Sequence, residues 1–324
     1  MTQATDRPTL GIALICLGVA VISVNDLLIK VLSVGYPLHQ MVFFRSAIGL
    51  VFTMGFVMAE GGPSILRTRT PAIHALRGAL VVGANMTFYA AVAVLPLAQA
   101  TALFFVAPLF ITLLSIPMLG EKVGAPRLTA VLIGLIGVAL MQQPWTSDPG
   151  VSRLVLLLPV IAALLYALMQ VLTRRLGVTT RASAMAVYTQ GTFLIVSTGF
   201  FLVAGDGRFA EGTTNESLTF LLRAWQWPAP GDWPVFLGLG LCSGVVGYCL
   251  SAAYRMANAA VIAPFEYIGL PLAILWGWSV FGEWPSAATW AGCALIVGAG
   301  LFVFIREQQK AAPAPGRRAR WGRR

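Results

Sequence analysis

Among the ionisable residues inside the long apolar stretches of this chain, three stand out: Asp26, Arg45 and Glu266. At bilayer depth an ionisable side chain costs about 2.5–3.5 kcal/mol on insertion scales, so each needs a partner or a function. Carboxylate and guanidinium groups in such a place can bind a charged ligand, pair with each other or take part in proton transfer. These three residues are therefore the first candidates for a functional site.

Asp26 and Arg45 are expected at similar depth in a membrane. With the helical rise per residue, Asp26 lies roughly 7 Å from the middle of its apolar run, and Arg45 lies roughly 4 Å from the middle of the next run. Two interpretations stay open. Both residues, with Asn25, bind a zwitterionic or carboxylate-bearing substrate, or they form a structural salt bridge between the two runs. Lys30 follows Asp26 by four residues and therefore shares its helix face.

Glu266 stands between Phe265 and Tyr267. A carboxylic acid buried among aromatic side chains suits proton coupling, because it can bind and release a proton within the membrane. The alternative is a neutral side chain that hydrogen-bonds to a neighbouring helix. Both roles require Glu266 to face other helices and not lipid.

Uncharged polar residues extend the candidate substrate site. Amide and phenol groups orient a ligand without ionic cost, and aromatic walls hold planar ligands. The alternative for each is an ordinary hydrogen bond between helices. The candidates are Asn85, Tyr89, Thr101, Tyr166, Gln170, Tyr248, Ser251 and Tyr267. Gly240 and Gly244 form a GxxxG pattern, for which close helix packing is the expected role.

The composition indicates that these residues lie in a membrane protein. The chain has 324 residues, of which 58% are hydrophobic and 10% are charged, and its mean hydropathy is +0.81. Soluble domains carry about 25% charged residues. Ten runs are long enough to cross a hydrocarbon core as helices. They cover approximately residues 10–32, 38–58, 72–94, 97–118, 124–142, 152–174, 182–204, 232–254, 258–281 and 286–305.

Basic residues predict the orientation of these ten spans. They are concentrated in the N-terminal segment, in every second connection and in the tail, whereas the other connections hold few of them. Because cytoplasmic segments are enriched in Lys and Arg, both termini are expected in the cytoplasm, most simply at a bacterial inner membrane. The basic charge thus reports membrane orientation, and no nucleic-acid partner is expected.

The two halves of the chain resemble each other. An offset of 162 residues places Ala90 on Ala252 and the pair Gly120-Glu121 on Gly282-Glu283. Each half then holds five spans, and an odd number inserts the second half upside down. This explains why the first Gly-Glu turn is followed by Lys122 and the second by no basic residue. The predicted fold is an all-α integral membrane protein with ten transmembrane helices as two inverted five-helix repeats.

The predicted organisation follows from these spans. It comprises a cytoplasmic N-terminus (1–9), a first repeat (10–142), an external linker (143–151), a second repeat (152–305) and a basic cytoplasmic tail (306–324). Matching prolines, Pro108 and Pro117 in span four and Pro264 and Pro271 in span nine, are expected to break these helices beside a cavity or to act as ordinary kinks. The external loop 205–231, rich in aromatic residues, shades a cavity mouth or lies passively at the interface.

The stretches LPLAQATALFFVAPLFITLLSIPMLGEKVG (95–124) and ANAAVIAPFEYIGLPLAILWGWSVFGEWPS (257–286) resemble the drug/metabolite transporter superfamily, of the EamA type. The resemblance covers about residues 10–305. It implies a secondary carrier whose substrate cavity lies between the repeats, lined mainly by the first, third and fourth helices of each. The stretch FFRSAIGL (43–50) and the turn LPLA are similar to members described as riboflavin or S-adenosylmethionine importers. Family substrates also include amino acids and other metabolites, moved in either direction.

Other functional classes are less compatible with the sequence. It contains no HExxH, GxSxG or Walker motif, so we expect no enzyme activity, no catalytic residues, no metal site and no cofactor. A channel, sensor or scaffold fits ten spans but leaves the inverted repeat unexplained. The expected partners are a small-molecule substrate and the lipid bilayer, with anionic lipid at the basic tail. A homodimer is compatible with this architecture.

Overall fold

The computed structural model describes residues 8–68, 70–120, 124–142, 153–176, 180–213, 215–256 and 263–311, and all regular structure within these ranges is helical. This confirms the predicted all-α class. The α-helices, in chain order, are α1 (Pro8–Leu32), α2 (Leu38–Glu60), α3 (Pro71–Val92), α4 (Leu97–Phe104), α5 (Ala107–Leu119), α6 (Ala125–Gln142), α7 (Arg153–Leu176), α8 (Ala182–Ala204), α9 (Glu216–Leu222), α10 (Trp233–Met256), α11 (Gly269–Phe281) and α12 (Ala287–Ala311). Two 3-10 helices cover Pro63–Leu66 and Ala263–Ile268. Residues 1–7, 143–151 and 312–324, which hold most of the predicted N-terminal segment, the linker and most of the tail, lie outside the described residues.

Seven helical stretches in the described ranges are long and apolar enough to cross a membrane, one of which, Leu97–Met118, runs through both α4 and α5. Three shorter apolar helices accompany them: Leu128–Met141, Phe265–Phe281 and Ala287–Phe302. Large apolar side chains cover the outside of the bundle, among them Val51 at 72% exposure and Ile195 at 75%. A surface of this kind is stable in lipid and not in water. The outward-facing apolar side chains of the helices therefore explain why the sequence is so hydrophobic.

Two of the predicted spans are interrupted helices. Span four consists of α4 and α5, which are separated at Phe105 and Val106. The described part of span nine, from residue 263, comprises the second 3-10 helix and α11, which meet at Ile268 and Gly269. Each interruption lies two or three residues before a proline, Pro108 or Pro271, whose missing N–H cannot bond to the preceding turn. Pro117 differs from the expectation, because α5 continues through it to Leu119.

The two Gly-Glu turns end their helices in the same way. Gly120 has φ of 69° and Gly282 has φ of 67°. In this left-handed region glycine avoids the Cβ clash that other residues meet. The Gly120 amide donates to Ile116 O at 3.1 Å, and the Gly282 amide donates to Trp278 O at 3.1 Å. Glu121 lies outside the described residues, whereas Glu283 is part of the site considered below.

Helices from the two halves pack against each other throughout the bundle. The main pairs are α1 with α10, α3 with α7, α2 with α8 and α10, α5 with α7, and α6 with α12. Glycines permit the closest of these approaches. A Cβ on Gly240 would lie 2.3 Å from Ile48 Cγ2, and one on Gly244 would lie 3.0 Å from Phe52 Cβ, both on α2. The packing role expected for the GxxxG pattern is thus confirmed.

The long loop before α10 is tied to the end of the bundle that carries Lys30, which we call the Lys30 end. Trp225 lies 5.4 Å from Phe43 and 4.5 Å from Phe201, measured between ring centroids. The Gln226 amide donates to Gln40 Oε1 at 3.1 Å, and the Tyr36 hydroxyl donates to Asp232 Oδ2 at 2.6 Å. The loop therefore forms part of the folded core at this end, although Trp227 remains 81% exposed.

The α6–α12 interface leads to a stability prediction. A Cβ on Gly292 would lie 2.1 Å from Met141 Cγ and 2.8 Å from Gly137 O. We expect Gly292→Ala to lower the free energy of unfolding in detergent by about 1–3 kcal/mol, since overpacking forces neighbouring atoms apart. Gly298→Ala on the same helix is the control, because a Cβ there meets no atom within 4 Å. Equal unfolding temperatures of the two variants would contradict this view of the interface.

Candidate functional site

Asp26 is held by two polar neighbours inside the bundle. The Tyr89 hydroxyl donates to Asp26 Oδ1 at 2.7 Å, and the Asn25 amide donates to the Tyr89 oxygen at 2.7 Å. The Asn25 amide also lies 3.4 Å from Asp26 Oδ1. All three residues are buried, with exposures of 4–8%. These contacts connect α1 to α3 and satisfy much of the hydrogen-bonding capacity of a carboxylate in an apolar surrounding.

Arg45 reaches the same helix, α3, from α2. Its Nη2 donates to Asn85 Oδ1 at 3.1 Å, one helical turn before Tyr89. Its guanidinium carbon lies 5.1 Å from the Phe193 ring centroid and 5.9 Å from that of Tyr89. Asp26 and Arg45 thus bind neighbouring turns of α3. No ion pair joins them in this structure, which corrects the expectation of a salt bridge between the first two spans; each instead bonds to a side chain of α3.

Three buried polar atoms of the predicted site residues have no hydrogen-bond partner within the described part of the chain: Arg45 Nε and Asn25 Oδ1 in this cluster, and Thr101 Oγ1 on α4. Unsatisfied polar groups in an apolar interior are costly, so such atoms indicate a place for another polar molecule. The set offers donors and acceptors together. These atoms therefore suit a ligand that has both hydrogen-bond donors and acceptors. Arg45 can also attract a negative charge on such a ligand.

A second polar cluster lies around α7 and the second 3-10 helix. The Gln170 amide donates to the Tyr166 hydroxyl at 2.7 Å. Glu266 is half-buried on the 3-10 helix, near Tyr166 and Tyr267. The structure thus brings Tyr166 and Tyr267 near Glu266 and pairs Gln170 with Tyr166, in a separate group from Asp26.

Aromatic side chains connect the two clusters. Starting from Tyr89, neighbouring ring centroids are separated by 5.3 Å to Phe88, 5.3 Å from Phe88 to Phe104, and 5.5 Å from Phe104 to Tyr166. Phe104 is the last residue of α4, next to the interruption of span four. A wall of rings between two polar ends is suited to a planar ligand with polar groups at its edges.

Other predicted residues lie elsewhere or have different neighbours. The Tyr248 ring stacks on Phe56 of α2, with centroids 4.3 Å apart. The Tyr267 hydroxyl packs against Gly300 of α12. The Ser251 side chain lies outside the described residues. Tyr248 therefore serves helix packing in this conformation, and Tyr267 contributes mainly its ring, which lies 5.3 Å from Phe105.

The sequence interpretation missed several polar contacts between helices. Lys30 forms an ion pair with Glu283 at 2.7 Å. Trp276 Nε1 donates to Ser23 Oγ at 3.0 Å, and Gln190 donates to Ser243 Oγ at 2.7 Å. The repeated Gly-Glu pair was the available signal for Glu283, but its partner depends on which helices meet, and spacing along the chain does not specify that.

The known proteins that this chain resembles are membrane transporters. The profile of the EamA-like transporter family matches residues 9–142. A riboflavin transporter of Rhizobium johnstonii is 31% identical, with 86% of this chain and 85% of that protein covered. An S-adenosylmethionine uptake transporter of Rickettsia prowazekii is 25% identical, with 92% and 94% covered. A pseudopaline exporter of Pseudomonas aeruginosa is 29% identical, with 89% and 93% covered.

A solved structure shares the fold. Its TM-score is 0.60 at 20% sequence identity, and the match covers 94% of this chain and 100% of the other. At this identity the likeness concerns the arrangement of helices and not the ligand. The high coverage indicates that the whole bundle has the same general plan.

The hydroxyl of Tyr89 allows a test of the first cluster. We expect Tyr89→Phe to lower the free energy of unfolding by about 1–3 kcal/mol, because Asp26 loses its shortest hydrogen bond inside the bundle. Tyr248→Phe is the matched control, since it keeps the ring that stacks on Phe56. Unfolding temperatures measured in detergent should fall for the first variant alone. A similar small change in both would show that the Asp26 network contributes little.

Proposed function

The chain belongs to the EamA-like transporter family of the drug/metabolite transporter superfamily, and from this premise we propose that it is a secondary carrier working by alternating access. Its cargo is a small metabolite, and the site lies near the middle of the bilayer between two inverted repeats. Alternating access is reversible, so the gradients of substrate and coupling ion set the direction of flux. The proposed location is a bacterial inner membrane.

The proposed architecture is ten spans in two inverted repeats, residues 10–142 and 152–305. Its main support is the packing pattern. Exchange of the two halves converts the α1–α10 pair into the α3–α7 pair. It leaves α2–α8 and α6–α12 unchanged, because each joins equivalent helices. The matching turns at Gly120 and Gly282 and the interruptions in spans four and nine give further support.

The proposed orientation has both termini in the cytoplasm, so the Lys30 end faces outward. The distribution of basic residues supports it, since Arg67, Arg77 and Arg181 lie at the other end. The tail, residues 306–324, would then lie beside anionic lipid of the cytoplasmic leaflet. In this orientation the docked loop 205–231 covers part of the outer end of the bundle.

The proposed substrate is a planar heteroaromatic metabolite of the flavin type. The observation that carries this proposal is the row of rings from Tyr89 to Tyr166, with polar clusters at both ends. Arg45 and Asn25 contribute buried atoms that lack protein partners among the described residues. The names of the riboflavin transporters among its relatives agree with such a ligand.

The substrate proposal predicts ligand-dependent stabilisation. Riboflavin at 100 times its dissociation constant should stabilise the purified protein by about 2.7 kcal/mol. Arg45→Gln should abolish this shift, because it removes the charged donor beside Asn85. Asp206→Asn, in the exposed loop, is a charge-neutralising control that should retain it. Thermal unfolding with riboflavin, and with S-adenosylmethionine for comparison, measures the effect.

Flux in proteoliposomes tests the carrier cycle itself. We expect saturable riboflavin uptake that is accelerated by riboflavin preloaded inside, as in exchange through one alternating site. Flux that rises linearly with concentration would indicate a channel. If neither compound stabilises the protein or crosses the membrane through it, the flavin proposal is wrong, and other metabolites of the family must be examined.

Glu266 is the proposed proton-coupling residue. It lies on the 3-10 helix of the interrupted span nine, near Tyr166 and Tyr267. We expect riboflavin uptake by the wild type to increase as the external pH falls, and uptake by Glu266→Gln to be independent of pH, since glutamine binds no proton in this range. Asp26→Asn, measured in parallel, distinguishes the two buried carboxyl groups. Unchanged pH dependence in Glu266→Gln would exclude this role.

A further inference from the structure

The Lys30 end of the bundle is closed by a polar contact between the two halves. Lys30 Nζ lies 2.7 Å from Glu283 Oε1 and 2.9 Å from Glu283 Oε2. The same ammonium group donates to Leu95 O at 2.9 Å. Glu283 Oε2 also accepts the Leu97 amide at the start of α4, at 3.2 Å. One carboxylate thus joins α1, the 95–97 turn and the end of α11.

The turn at Gly282 determines the position of this carboxylate. Because Gly282 is left-handed, the chain reverses direction after α11, and the Glu283 amide donates to Gly277 O at 2.9 Å. The side chain then extends toward α1 and α4. The repeated Gly-Glu pair therefore has a structural purpose in the second half: glycine permits the turn, and glutamate makes the contact.

The contact is well placed to break and form again. Lys30 and both backbone groups belong to the first half, and Glu283 provides their hydrogen-bonding partner from the second half. The Phe281 ring of the second half lies over the same ammonium group, with its centroid 4.8 Å from Lys30 Nζ. The Lys30 side chain is 9% exposed and that of Glu283 is 27% exposed. Glu283 also borders an open crevice lined by Pro96, Gln99 and Ser286. Because water already reaches the carboxylate, separating the pair does not leave both charges buried in an apolar medium.

A second contact follows the same helix interface inward. Ser23 precedes Lys30 by seven residues, and its partner Trp276 precedes Glu283 by seven residues. Ser23 and Lys30 therefore lie two turns apart along α1, and Trp276 lies on α11, whereas Glu283 follows the turn at the end of that helix. Movement of α11 away from α1 would break the ion pair first and then expose Ser23, which is 5% exposed in this structure.

We propose that the Lys30–Glu283 ion pair is the outer gate of the carrier: it holds the outer ends of the repeats together in the conformation described, and its rupture accompanies outward opening. This inference rests on the proposed alternating-access function and orientation. It assigns to the second Gly-Glu turn a role in the transport cycle, separate from the substrate site around Asp26 and Arg45.

The gate is tested by the accessibility of a cysteine placed beneath it. Ser23→Cys is introduced after replacement of the native cysteines, Cys16, Cys242, Cys249 and Cys293. A membrane-impermeant methanethiosulfonate reagent is added from the outer side of proteoliposomes. We expect slow labelling in this background. Glu283→Gln and Lys30→Met should each accelerate it about tenfold, the factor by which 1.4 kcal/mol shifts an equilibrium between closed and open states.

The double variant and a charge control distinguish a gate from general loosening. Lys30→Met combined with Glu283→Gln should label no faster than either single variant, because both remove the same contact. Asp206→Asn breaks an exposed acid–base pair of the same end and should leave the rate unchanged. Rates that stay at the background value in folded single variants, or that multiply in the double variant, would overturn the proposal.

Labelling requires no substrate, so it separates this inference from the transport proposal. Riboflavin flux is measured on the same proteoliposomes. Accelerated labelling without flux in the wild type would support the gate and refute the proposed cargo. Flux with unchanged labelling in Glu283→Gln and Lys30→Met would refute the gate alone. Unfolding temperatures of all variants identify any that fail to fold. If Glu283→Gln does not fold, Lys30→Met is the decisive variant, and if Lys30→Met does not fold, Glu283→Gln is.

Discussion

The need to satisfy polar groups without water governs this structure. Inside a bilayer every buried donor or acceptor requires a partner from the protein or from a ligand. The Asp26 carboxylate meets this need through Tyr89 and Asn25, on two different helices. The same hydrogen bonds therefore hold α1 against α3 and fix the position of the Asp26 carboxylate. Arg45 and Asn85 extend the same network to α2, so three helices depend on a few hydrogen bonds.

The interrupted helices are places where part of a span could shift relative to the hydrogen-bond network. Proline removes a backbone hydrogen bond, and α4 and α11 end or begin at such places next to the aromatic rings of the site. Phe104 belongs to both features, since it terminates α4 and lies between Phe88 and Tyr166. A shift of a half-helix would therefore alter the ring wall directly. At the Lys30 end, α4 begins at the contact made by Glu283, so the same short helix joins the gate to the site.

Several features follow from the sequence, each for a simple physical reason. Long apolar runs with few charges require helices in lipid. Within the described residues, seven of the ten predicted runs are helical stretches long enough to cross a membrane, and the fifth, ninth and tenth hold shorter apolar helices. Asp26, Arg45 and Asn25 were also grouped from the sequence, because polar residues in apolar runs have to find partners, whereas Asn85 and Tyr89 were only two of several further candidates. The glycine turns were visible from their repetition. Pro117 does not break its helix, since a proline only two residues before the helix end disturbs little of it.

The sequence by itself determined the helical class, the number of candidate runs and the residues able to do chemistry, because these depend on hydropathy and residue type. Tertiary structure decided which of those residues meet. Asp26 and Arg45 bind successive turns of α3 and not each other. Lys30, four residues beyond Asp26 on the same helix, pairs with Glu283 far along the chain. Such pairings depend on how distant helices approach and rotate, which is fixed by packing of side chains and glycines across the bundle and by no local pattern.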